Sequence, residues 1–144
     1  MRRPTVLSLV AALMLLTALG TLLFWAAFFA DLDAQRAGTL ASRSEHWFAW
    51  EMSFPLADAW LALTAILGAV GLWRLRPAGL LFGLLSGSAM VFLGLMDLLF
   101  FLQNDLYLPL TGEVAIELFI HVWAVLFGLA AIGVVWHHRA SLQG

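Results

Sequence analysis

Four long apolar runs, divided by short polar stretches, set the pattern of this chain. The first runs from Pro4 to Ala30 with no charge between Arg3 and Asp31. The second runs from about Phe54 to Trp73 and is interrupted only by Asp58. The third runs from Ala78 to about Leu102 with Asp97 inside it, and the fourth from about Val114 to Trp136 with Glu117 and His121. Crossing a hydrocarbon core takes about 20 helical residues, and all four runs reach that length. None alternates with the period of two that a barrel strand requires. The pattern predicts an all-α bundle of four transmembrane helices, over about 5–30, 54–73, 78–102 and 114–136, as one integral membrane domain covering 1–144.

The connections add detail. The 31–53 segment is the longest, and Ser44 is a candidate cap for a short interfacial helix holding Trp47, Phe48 and Trp50, ended or bent near Pro55. Pro77 suits the first turn of the third span and Thr111 the N-cap of the fourth. Arg2-Arg3 and Ala18-Leu19-Gly20 imitate a signal peptide, but the apolar run continues to Ala30, so a retained helix is expected.

Composition agrees. The chain is 63% apolar and 11% charged with a mean hydropathy of +0.96, whereas soluble domains are about a quarter charged. There is no lysine and the net charge is −2, which supplies no basic footprint for nucleic acid. The absence of cysteine removes thiolate catalysis, disulfides and Cys-ligated metal centres. Arg2, Arg3, Arg74, Arg76 and Arg139 fall on one side of the spans, and only Arg36 and Arg43 on the other. By the positive-inside rule both termini should be cytoplasmic. Trp25, Trp47 and Trp50 then read as an outer aromatic belt.

With this topology all nine carboxylates belong to the outer half. Asp58, Asp97 and Glu117 lie inside spans at similar depth, roughly 5–8 Å from the outer interface, with His121 one turn deeper. At 100° per residue, Asp58 shares a stripe with Ala62, Ala65 and Ala69, and Asp97 with Met90 and Ser86 beside Gly79, Gly83, Gly87 and Gly94. Glu117 shares one with His121, Ala124, Gly128 and Ala131. Small residues mark close helix contact in a bilayer, so these acids are expected on packing seams and not against lipid. Asp58, Asp97, Glu117 and His121 should meet near the outer mouth, with Glu51 at the lip.

Four roles fit such a cluster. Its members could be structural, held by Trp60, Trp123, Gln103, Asn104, Thr17 or Thr21, in a scaffold or accessory subunit. They could bind a cation or small ligand; Asp97, Glu117 and His121 are the metal candidates, in a set that suits a hard or borderline divalent ion. They could serve proton-linked transport in a homo-oligomer joined through the glycine series, or an enzyme acting on a lipid-soluble substrate. Arg36 or Arg43 could fold in as counter-ions, and haem ligation by His46 and His121 is a weaker alternative. No cofactor is indicated. Binding of a cation or small ligand is the primary expectation, with the lipid bilayer as the first partner.

In helix number and in carrying acids within spans, the architecture resembles the four-helix sterol isomerase and sigma-2 receptor group, without a shared motif. A closer likeness rests on Glu51-Met52-Ser53-Phe54-Pro55-Leu56-Ala57-Asp58, Gly94-Leu95-Met96-Asp97 and Gln103-Asn104-Asp105-Leu106-Tyr107. Here the chain resembles small bacterial four-helix membrane proteins of unassigned function, which implies the same architecture and a bacterial origin, with the inner membrane as the expected location, and supplies no activity.

Overall fold

The computed structural model describes residues 4–143. Four helices dominate it: α1 (Thr5–Ala30), α5 (Pro55–Trp73), α6 (Pro77–Gln103) and α7 (Gly112–His137). All four are long and apolar enough to cross a membrane, so the chain is a multi-pass membrane protein. Between α1 and α5 come α2 (Leu32–Ala37), α3 (Thr39–Arg43) and α4 (Trp47–Glu51), and α8 (Arg139–Leu142) closes the described chain. The observed spans match the expected boundaries within about two residues. Arg2 and Arg3, on which the expected orientation partly rests, lie outside the described residues.

The helix ends follow from local chemistry. Pro55 and Pro77 occupy first turns, where a missing N–H costs nothing. The Thr111 hydroxyl accepts from the Val114 N–H at 3.3 Å. Both α5 and α6 stop in Schellman turns. Arg76 N–H reaches the Gly71 carbonyl at 2.9 Å, and Leu106 N–H the Phe101 carbonyl at 3.0 Å. The left-handed positions are filled by Leu75 (φ 49°) and Asp105 (φ 52°) in place of glycine.

The 31–53 excursion differs from expectation. Ser44 does not cap α4: it ends α3, and its hydroxyl accepts from the His46 backbone N–H at 3.3 Å. Helix α4 starts with no side-chain cap. Two further helices precede it. Asp31 caps α2 by accepting from Ala34 N–H at 2.9 Å, and Gly38 separates α2 from α3.

In packing, α5 lies between α1 and α6, and α6 between α5 and α7, while α1 and α7 touch only sparsely. One apolar cluster, including Leu7, Met14, Leu72, Met90, Val135 and Leu142, fills the end of the bundle where the chain starts and stops. A second, aromatic cluster caps the other end: Trp25 and Phe28 of α1 meet Leu40, Trp47, Phe101 and Leu106. The expected glycine seam lies inside the chain. A Cβ on Gly87 would stand 3.0 Å from the Gly128 carbonyl oxygen, and one on Gly94 2.9 Å from the Ala124 Cβ. These glycines let α6 and α7 approach closely.

Candidate functional site

Between the two clusters lies a cavity of about 410 Å³. Glu51, Asp58, Asp97, Glu117 and His121 all line its polar end. Each arrives from a different constraint. Asp58 stands in the first turn of α5, set by Pro55, and below it Ala62, Ala65 and Ala69 are buried against neighbouring helices. Asp97 lies one turn from Gly94, whose missing side chain brings α6 against the His121 carbonyl. Glu117 and His121 are one turn apart on the buried face of α7. Glu51 is the last residue of α4, folded over the bundle end.

His121 is the centre of the group and only 2% exposed. Its Nε2 is 3.6 Å from Glu117 Oε2 and 4.0 Å from Asp97 Oδ2. On the other side of the ring, Nδ1 lies 2.9 Å from the Tyr107 hydroxyl. Burial and the Asp97 and Glu117 charges push the Tyr107 phenol up to about 12, so it stays protonated at neutral pH. A neutral phenol can donate or accept, so the other ring nitrogen decides: Nε2 faces carboxylate oxygens, which favours the ring proton there and leaves Nδ1 to accept from the phenol. Phe101 packs edge-on against the ring at 4.7 Å.

The acids find other partners than those expected. Trp25 Nε1 donates to Asp58 Oδ2 at 2.8 Å, and Trp50 Nε1 to Asp97 Oδ1 at 3.1 Å. Trp50 is fixed by parallel stacking on Phe100, with centroids 4.4 Å apart. Trp25 and Trp47 are buried at 8% and 2% exposure, so neither belongs to an outer aromatic belt. A signal for Trp25 was present: it continues the Ala11, Ala18 spacing of seven on the buried face of α1. Tyr107, in a loop, carried no such periodic signal.

None of the partners expected from the sequence bonds to these acids among the described residues. Trp123 donates to Thr17 at 3.0 Å, Asn104 donates to the Phe100 carbonyl at 2.9 Å, and Trp60 is half exposed. Arg36 pairs with Asp33 at 3.4 Å and lies over the Phe48 ring. Arg43 donates to the Asp105 and Leu108 carbonyls. Neither arginine forms an ion pair with the cluster. His46 is exposed beside Glu45, outside the cavity lining. Among the described residues, no three His, Asp or Glu side chains are arranged to hold a metal ion, the Asp97, Glu117 and His121 candidates included.

Glu51 is the outlier. It is 8% exposed and takes no hydrogen bond or ion pair from any described residue. Burial first, then repulsion from Glu117, Asp97 and Asp58, raises its pKa well above the usual carboxylate range. Chemically the site is a set of acceptors that lacks a full complement of donors. Comparison with known proteins adds no template: no protein family, characterised protein or solved structure gives a significant match to the chain.

Proposed function

We propose that the chain is a single-domain protein of a bacterial inner membrane, with both termini cytoplasmic, whose acidic cavity binds a cation or small cationic ligand. The observation that carries this reading is the unpartnered Glu51 carboxylate beside Asp58, Asp97 and Glu117, all lining one cavity without an arginine. A buried carboxylate is costly unless paired or protonated, and a bound cation would relieve several at once. Trp25 and Trp50 touch two of these acids, so their fluorescence should report occupancy. Titration of the protein in nanodiscs with calcium, magnesium and small organic amines should give a saturable change for at least one cation. Asp97→Asn should weaken it, whereas no response to any of them would remove the binding role.

A structural reading has its own support. Trp25–Asp58 ties α1 to α5, and Trp50–Asp97 ties the 31–53 excursion to α6. In that reading the acids set helix pairing in an accessory subunit, and their loss would change stability alone.

A further inference from the structure

The cavity is not confined to its acidic end. It continues along α1 and α7, where Leu16, Gly20 and Phe24 face Phe119, Ile120 and Trp123. Leu16 is 60% exposed and Phe119 65%, so this wall reaches the outside of the bundle, which in a membrane is lipid. It does so at the seam where α1 and α7 scarcely touch. The Trp123–Thr17 hydrogen bond at 3.0 Å bridges the same two helices at the deep end. Gly20 differs from the packed glycines: a Cβ there would meet nothing within 4 Å. It leaves this stretch of the seam unfilled and serves no close contact.

We infer that this pocket takes a single-chain amphiphile with an amine head, admitted from the bilayer through the α1–α7 seam past Gly20. The inference rests on the binding role proposed above and adds the ligand class and route. The head would lie among Glu51, Asp97 and Glu117, whose oxygens accept what an ammonium donates. Glu51, buried and unpartnered, is the acceptor most in need of that donor. The tail would occupy the apolar stretch of the wall from Phe24 to Leu16, about 12 Å of helix. A bare metal ion would leave that stretch empty, and the acids are not set at metal-holding positions. A phospholipid would bring its phosphate against the carboxylates.

The test uses the full chain in phosphatidylcholine nanodiscs and dodecylamine carrying a diazirine at its chain end. Saturable cross-linking is expected on α1 and α7 around Leu16, Gly20 and Phe119. Unlabelled dodecylamine should compete, whereas dodecanol and butylamine should not. Gly20→Phe, which plugs the seam, and Glu51→Gln should each weaken the probe about tenfold or more. Unchanged labelling of Gly20→Phe would overturn the route. Equal competition by dodecanol would overturn the amine head. Butylamine competing as well as dodecylamine would overturn the tail seat while leaving the binding role intact. The competition arms need no variant, so they decide even if Gly20→Phe fails to fold. Absence of saturable labelling overturns the inference, and the binding role falls with it only if the fluorescence titration is also silent.

Discussion

The indole N–H of Trp25 on α1 donates to the Asp58 carboxylate on α5 at 2.8 Å, across 33 positions of sequence. Both groups would otherwise be stranded near the hydrocarbon. Neutral interhelical hydrogen bonds in bilayers average about 0.6 kcal/mol, whereas bonds to charged groups are worth about 1.5–3 kcal/mol in general. A double-mutant cycle of Trp25→Phe and Asp58→Asn, read by thermal unfolding in detergent, should give a coupling of about 1–2 kcal/mol. Strict additivity would mean that the contact contributes nothing.

Glu51 makes stability depend on pH. An unfolded glutamate ionises near about 4.3. In the folded protein burial and three neighbouring carboxylates raise that value. The folded state thus holds the proton at pH values where the unfolded state has lost it, and stability falls as pH rises above about 4.3 until the folded group also ionises. Asp58, Asp97, Glu117 and His121 share the cavity and will shape the rest of the profile. Glu51→Gln should match wild type near pH 4 and exceed it at pH 7–8. Melting curves of both proteins across that range check the sign; a variant less stable at pH 8 would contradict it.

How much of this arrangement was legible depended on periodicity. The stripes through Ala62, Ala65 and Ala69, and through Met90 and Ser86, lie on buried faces as read, because a small-residue seam recurs every turn or two. The same logic applied to Ala11, Ala18 and Trp25, yet tryptophan near a span end also fits an interfacial belt, and the two readings compete on type alone. Helices α2 and α3 are six and five residues long, too short for any apolar period to show. Their order comes from the Asp31 cap, the Gly38 break and the Leu40 side chain, fully buried beneath Trp47 and Phe28. Tyr107 reaches His121 only because the turn after α6 folds back, a contact no local pattern encodes.

Tyr107 is expected to matter for the ring of His121 more than for the loop. Its hydroxyl is the hydrogen-bond partner of Nδ1, on a histidine 2% exposed. Tyr107→Phe keeps the packing against Phe101 and leaves Nδ1 without its donor, which costs about 1–3 kcal/mol for a buried polar atom. Without that donor the Nδ1-H tautomer becomes competitive. Nitrogen-15 spectra of His121 should show the Nε2-H form in wild type and a mixture in the variant, and an unchanged tautomer would refute the assignment.

Asp105 offers a stabilising change. It sits in the left-handed position that ends α6, at φ 52°, with an exposed side chain. Left-handed backbone costs a side-chain-bearing residue about 1–2 kcal/mol, less for aspartate. Asp105→Gly removes that strain while the Leu106 N–H to Phe101 carbonyl bond is kept. The variant should be more stable by about 0.5–1 kcal/mol. Leu75, at φ 49°, is a poorer target because its side chain packs against the main core.

Glycines of equal helical context should respond oppositely. A Cβ on Gly128 would stand 2.8 Å from the Gly87 carbonyl oxygen and 2.9 Å from Val91 Cγ2, whereas one on Gly20 meets nothing. Gly128→Val must push α6 from α7, at about 1–3 kcal/mol for overpacking. The same displacement carries Asp97 and its Trp50 contact away from His121, so tryptophan emission should shift along with the loss of stability. Gly20→Ala should instead be neutral or more stable by up to about 1 kcal/mol, since alanine is the better helix former. Measured side by side, two destabilised variants would mean that α1 packs on α7 more tightly than the open seam at Gly20 implies, and the lateral route would close with it.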